Sequence, residues 1–288
     1  LKCQASVDTA VTQVLVHWSA KHSSSGVTRP TGEAAAKQRE WDTPSVIADA
    51  RTVMASQSDR RHQARLLAVS APHSGDWLHA LPITSCGLRL DDEAVRVAVG
   101  LRLGAMLCEP HKCPCGSDVD AEGTHGLACR RSSGRTSRHH VINDLVWRSL
   151  LRADVPAVKE PAGLLRSDGK RPDGLTQIPW QSGRCMTWDV TVTDTLAESY
   201  LASTSTVAGG AAEGAASRKE AKYQTLARTH SFIPLAFETL GPINAKGITF
   251  FNELCRRLAA CSGDSRETAY LYQRLSIAIQ RFKCKNCK

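Results

Sequence analysis

The chain has 288 residues, with 37 Lys and Arg against 28 Asp and Glu, a formal net charge of +9, ten His and eleven Cys. That length suits one or two domains, and 42% hydrophobic residues can fill a core, which argues against wholesale disorder. No apolar run approaches the roughly 20 residues of a membrane helix and no hydrophobic leader opens the chain, while the basic balance points to a polyanion, most simply nucleic acid.

The first residue is Leu rather than Met, so the chain reads as a fragment of something longer. Residues 1–40 are rich in Ser, Thr and Ala and suggest a short helix over 11–19, then a loop. A helix is expected over 44–69, with Pro44 in its first turn and Ile47, Val53, Met54 and Leu66 as apolar points. A turn-rich link runs from His73 to Pro82. Asp91 and Asp92 can cap a helix carrying Val95, Val99 and Leu103. An amphipathic helix is predicted over 137–153, an extended stretch over 155–160, and strands over 171–178 and 184–193 around a turn at Gln181-Ser182-Gly183. A Gly/Ala/Ser-rich loop over 202–210 leads to a helix ending near 228, a strand over 231–239, and helices over 245–260 and 267–281. This order describes an α/β domain with a mixed sheet.

Without a secretory signal, eleven Cys read as thiols rather than as a disulfide framework. Their clustering suggests metal. Cys113-x-Cys115, then His125 and Cys129, offers three thiolates and an imidazole, a common structural set for tetrahedral Zn²⁺. The one-residue Cys113–Cys115 spacing is tight, so Cys108 is an alternative first ligand. Four ligands leave no open position, hence a structural ion. Arg130, Arg131, Arg135 and Arg138 follow in a Ser/Gly setting suited to phosphate contacts. Cys284 and Cys287 have no partners for a second site and read as a frayed tail.

Two acids carry the chemistry. Asp173 follows Lys170-Arg171-Pro172. Asp189 sits on a strand where Thr187, Asp189, Thr191 and Thr193 share one face and Met186, Trp188, Val190 and Val192 the other. A carboxylate on a half-buried strand needs a partner. Two Asp on adjacent strands can hold Mg²⁺, which polarises a phosphodiester and activates water. Lys219 and Lys222 share a helix face with Tyr223 and Leu226 and can bring a cation to the same place.

In this order, the motifs resemble the PD-(D/E)xK nuclease superfamily. More narrowly they resemble the restriction-like endonuclease region at the C-terminal end of certain non-long-terminal-repeat retrotransposon proteins. The carriers are the Cys/Cys/His/Cys knuckle, Arg138-His139-His140-x-x-Asn143, Glu160-Pro161, Arg171-Pro172-Asp173, Asp189-Val190-Thr191-Val192 and Lys219-x-x-Lys222-Tyr223, within about residues 86–280. The resemblance implies a restriction-endonuclease-like core (helix, three strands, helix, strand, mixed sheet) over 137–282, a zinc knuckle region over 86–136 and a helical post-polymerase linker over 1–85. It implies a nuclear enzyme that nicks target DNA with Mg²⁺ or Mn²⁺ to prime reverse transcription, with Zn²⁺ structural, template RNA a second partner and the polymerase elsewhere in the parent polypeptide. Asp173 and Asp189 would bind the ion. Thr191 stands where the superfamily lysine normally lies, so Lys222, or else Lys219, would take its role from the next helix. Glu160, or Asp144 on the preceding helix, would be an accessory acid, and Lys170 and Arg171 would meet nucleic acid. A catalytically inactive, nucleic-acid-binding remnant and a cellular repair nuclease are the alternatives.

Overall fold

The computed structural model describes residues 2–23, 27–164 and 169–283. Cys284 and Cys287 lie outside the described residues. The chain forms two compact units, Leu1–Ser58 and Asp59–Lys288. No described helix is long and apolar enough to cross a membrane.

The first unit contains α1 (Lys2–His22) and α2 (Gln38–Ser56). α1 outruns the sequence expectation, and α2 continues through Pro44 rather than starting there. Trp18 joins them, its indole N–H donating to the Trp41 carbonyl at 3.0 Å. The expected long helix over 44–69 breaks at 57–59. There Asp59 accepts the His62 N–H at 2.9 Å and caps α3 (Arg60–Ser70). The unit boundary falls after Ser58. Its cause is apolar: Ala64 and Ala68 of α3 pack with Val97, Leu101 and Leu127 of the second unit.

The second unit continues with α4 (Asp92–Leu103), capped by Asp91, which accepts the Ala94 N–H at 2.7 Å. Its buried stripe is Ala94, Val97, Ala98 and Leu101, whereas Val95 and Leu103 face solvent, one helical face round from the expectation. A two-residue hairpin, β1 (His111–Lys112) with β2 (Asp118–Val119), and the single turn α5 (His125–Ala128) form the knuckle. Next come α6 (Ser133–Arg152), β3 (Ala157–Lys159), β4 (Gly174–Gln181), β5 (Arg184–Thr193), α7 (Glu198–Thr204) and α8 (Gly210–Lys222). Finally, β6 (Ser231–Glu238), α9 (Ala245–Ser262) and α10 (Glu267–Arg281) close the chain.

The sheet runs β3-β4-β5-β6, antiparallel except for the parallel β5–β6 pair. It is the mixed α/β sheet that the element order predicts. The alternation along β5 holds, but the strand is not half-buried: helices cover both faces. Met186, Trp188 and Val190 enter the main core with Ile142 and Val146 of α6, Phe250 and Leu254 of α9 and Leu271 of α10. Opposite them, Ala212, Ala215 and Ala216 of α8 lie close on Ala236 of β6. Small residues there let the helix backbone approach the sheet. Glu238 fixes its start, accepting the Ala211 and Ala212 N–H groups at 2.9 and 3.2 Å.

Candidate active site and metal centre

In the antiparallel register Gly174 faces Trp188, so β4 pairs with only the first half of β5. Beyond that point β5 keeps β6 on one side and has an open edge on the other. Asp173 stands at the break. Its N–H donates to the Trp188 carbonyl at 2.9 Å. Its Oδ2 accepts the Val190 N–H at 2.6 Å, taking the ladder position that a longer β4 would fill. Glycine is required next to it: a Cβ on Gly174 would lie 2.0 Å from the Trp188 ring. That indole is held in turn by Asn143 of α6, whose Oδ1 accepts its N–H at 2.8 Å.

Because the sheet ends here, side chains from helices on its opposite faces meet. His139 of α6 places Nε2 3.1 Å from Asp173 Oδ2. From the other face, the Lys219 ammonium of α8 pairs directly with Asp189 Oδ1. Asp189 is 4% exposed. Burial, then the Asp173 charge, push its carboxyl above the ordinary range, partly offset by Lys219 and the Tyr223 hydroxyl. The Asp173 hydrogen bond raises the His139 imidazole, and the charges of Asp173 and Asp189 add to it. The two acids thus converge on one centre with two basic groups, Lys219 and His139.

Sequence reasoning did not single out His139. A signal exists: His139 and Asn143 are i, i+4 on one helix face, and the Asn143 amide also reaches the Asp173 carbonyl at 3.5 Å. Of the two lysines, Lys219 is the one that pairs with Asp189. The helix ends at Lys222, sooner than expected, and Lys222 turns onto Tyr223, 4.5 Å over its ring and 3.0 Å from its hydroxyl. Tyr223 itself is fully buried, packs on Phe232 and donates to the Arg171 carbonyl at 2.9 Å. Glu160 is not at the centre. Its carboxylate pairs with Arg171 at the surface, and Asp144 pairs with Arg148 at 2.6 Å and Lys159 at 3.1 Å. Lys170 is exposed.

The knuckle is the second centre. Cys113, Cys115, His125 and Cys129 bring their ligand atoms within 4.8 Å of one another, the only group of three or more such ligands among the described residues. This Cys₃His set can hold a metal ion such as zinc. Cys113 and Cys129 sulfurs are 3.7 Å apart, and Cys115 Sγ is 3.2 Å from His125 Nε2. Ser117 lowers the Cys115 thiol to about 6, toward the thiolate a metal needs. Cys108 is outside the set and donates to the Asp120 carbonyl at 3.4 Å. The remaining described thiols, Cys86, Cys185, Cys255 and Cys261, are free.

Three of the arginines expected on nucleic acid bond backbone carbonyls of the knuckle. Arg131 donates to the Pro114 carbonyl at 2.5 Å, Arg135 to Ala128 at 3.4 Å and Arg138 to Leu127 at 3.4 Å. Arg138 is only 2% exposed, and burial lowers its guanidinium to about 10. Arg130, Arg131 and Arg135 remain exposed. No known family model matches the chain, and no curated protein sequence matches it.

Proposed function

We propose that the chain is a metal-dependent DNA endonuclease, the restriction-like nuclease part of a mobile-element protein, and that its Asp173–Asp189 centre cuts one strand of target DNA. The observation that carries this reading is the meeting of Asp173 and Asp189 on adjacent strands with Lys219 from the following helix. The donor set fits a hard divalent cation: two carboxylates, one of them buried, suit Mg²⁺ or Mn²⁺, which take oxygen ligands and retain waters. Such an ion, when bound, polarises the phosphodiester and acidifies a coordinated water.

The chain's own residues then have distinct tasks. Asp173 and Asp189 would hold the ion. Lys219 lines the same open edge of β5 as Thr191, the position where the superfamily lysine normally lies, so it can supply that charge from α8. It keeps Asp189 from being a lone buried charge and can offset charge building on the scissile phosphate. His139 holds the Asp173 carboxylate in place. The knuckle, with its ion, would anchor the start of α6 and help grip nucleic acid. The reading brings with it DNA and template RNA as partners, a polymerase in the parent polypeptide and a nuclear site of action.

One observation favours the inactive remnant: Lys219 already neutralises the oxygen of Asp189 that an ion would take. Nicking of supercoiled plasmid with Mg²⁺ or Mn²⁺ separates the two. Cleavage by the wild type that Asp189→Ala abolishes is expected. Equal cleavage by both proteins would refute the assignment, and retained DNA binding without any cleavage would favour the remnant.

A further inference from the structure

Beside the acidic centre, a cavity of about 420 Å³ opens at the N-terminus of α6. Its walls include Arg130, Ser132, Arg135, Thr136, Arg138 and Lys219, and no carboxylate lines it. Ser132, at the head of a 20-residue helix, makes no side-chain cap, so the positive end of the helix dipole adds to those charges. Arg138 provides an independent observation. It is buried, and its Nε has no hydrogen-bond partner among the described residues. Lys283 is buried near it, and desolvation together with Arg138 and Arg102 drives its ammonium down to about 7, against Asp194, which offsets part of both charges. A buried N–H without an acceptor is rare, and an anion in the cavity would supply one to Arg138 Nε.

We propose that this cavity is a phosphate subsite, which holds a non-bridging phosphate group of a nucleic-acid strand next to the linkage presented to Asp173 and Asp189. The fork of guanidinium donors suits a tetrahedral dianion or a backbone phosphodiester. Its shared wall fixes the register. Lys219 faces the cavity and pairs with Asp189, and His139 lines it and meets Asp173. A strand seated here must therefore carry a phosphate on at least one side of the cleaved bond, which selects internal linkages over a terminal one. The location relative to the cleaved bond rests on the endonuclease reading, whereas phosphate binding itself does not.

The test is binding of a fluorescent 12-nucleotide single-stranded DNA to the full chain, with Mg²⁺ and Mn²⁺ withheld and the zinc retained. A single neutral methylphosphonate replaces each linkage in turn. We expect one position to lose roughly tenfold in affinity, as for one charge-assisted contact. In Arg135→Gln, whose side chain is exposed and whose fold is checked by circular dichroism, that positional loss should vanish. A flat profile in the wild type, or an unchanged profile in Arg135→Gln, overturns the subsite. Inorganic phosphate titrated alone separates the sources. Competition only at millimolar concentration supports a backbone phosphate, and saturation at micromolar concentration overturns it in favour of a free phosphate ligand. A chain with the positional profile that never nicks plasmid keeps the subsite and refutes the nuclease. A chain that nicks with a flat profile refutes the subsite alone.

Discussion

The knuckle and the acidic centre hang on the same helix, yet they solve opposite electrostatic problems. The knuckle draws all its ligands from 17 consecutive residues, Cys113 to Cys129, and packs three thiols and an imidazole with no cation among them. The acidic centre draws on positions 139, 173, 189 and 219, from α6, the edge of β4, β5 and α8, and brings its own basic groups. The first can hold an ion such as zinc. The second is folded and paired without one, so an ion there has to compete with Lys219. Metal should therefore act on stability at one centre and on chemistry at the other.

Loss of the knuckle's ion is the largest effect this contrast predicts. Metal binding in small zinc modules contributes on the order of 10 kcal/mol to their folding. Cys129→Ser should lower zinc content measured by plasma mass spectrometry and raise amide exchange through residues 108–131. The damage should spread to the first turns of α6, because Arg131, Arg135 and Arg138 would lose their carbonyl partners. Zinc content equal to wild type would refute the site.

At the acidic centre the corresponding blow is to a charge pair. Lys219→Met leaves Asp189 buried and unpaired, which should cost about 3–5 kcal/mol in urea unfolding. Part of this cost should return in the double variant with Asp189→Asn. Lys222→Met, by contrast, removes a cation resting on the Tyr223 ring and should cost about 1 kcal/mol or less. Equal costs for the two lysines would contradict the division of labour between them.

That division marks the limit of what the sequence makes legible. Strand alternation and the four closely spaced ligands are local signals, so β5, the closing helices and the knuckle can be read directly. Lys219 and Lys222 are equivalent by helical spacing. They differ only because the helix stops at Lys222 and Tyr223 drops into the core, a tertiary effect. Arg138 shows the same limit: an Arg-rich stretch reads as exposed, but its i+4 neighbour Ile142 is core, and the helix turns Arg138 inward with it.

A pH series sharpens the contrast in metal-free buffer. The raised His139 means that the folded state binds a proton more tightly than the unfolded chain. Its stabilisation is full below about 6.5, the ordinary histidine value, and is lost as pH rises through the folded-state value. The thermal midpoint should fall over that window in the wild type and fall less in His139→Asn. Identical slopes would mean that the imidazole does not hold Asp173.

Glu160 offers the smallest effect and a distinct lesson. Its carboxylate makes an exposed pair with Arg171, a kind of contact worth about 0–1 kcal/mol. Its backbone matters more: at φ 50° it takes the left-handed conformation, which turns its N–H onto the Asp173 carbonyl at 2.9 Å. Glu160→Gln should leave both plasmid nicking and stability within about 0.5 kcal/mol of wild type. Glu160→Gly removes the same side chain but relieves a left-handed strain of about 1 kcal/mol, so it should be the more stable of the two variants. If Glu160→Gln instead abolishes nicking while the fold persists, the carboxylate belongs to the acidic centre after all, and Arg171 holds it in reserve.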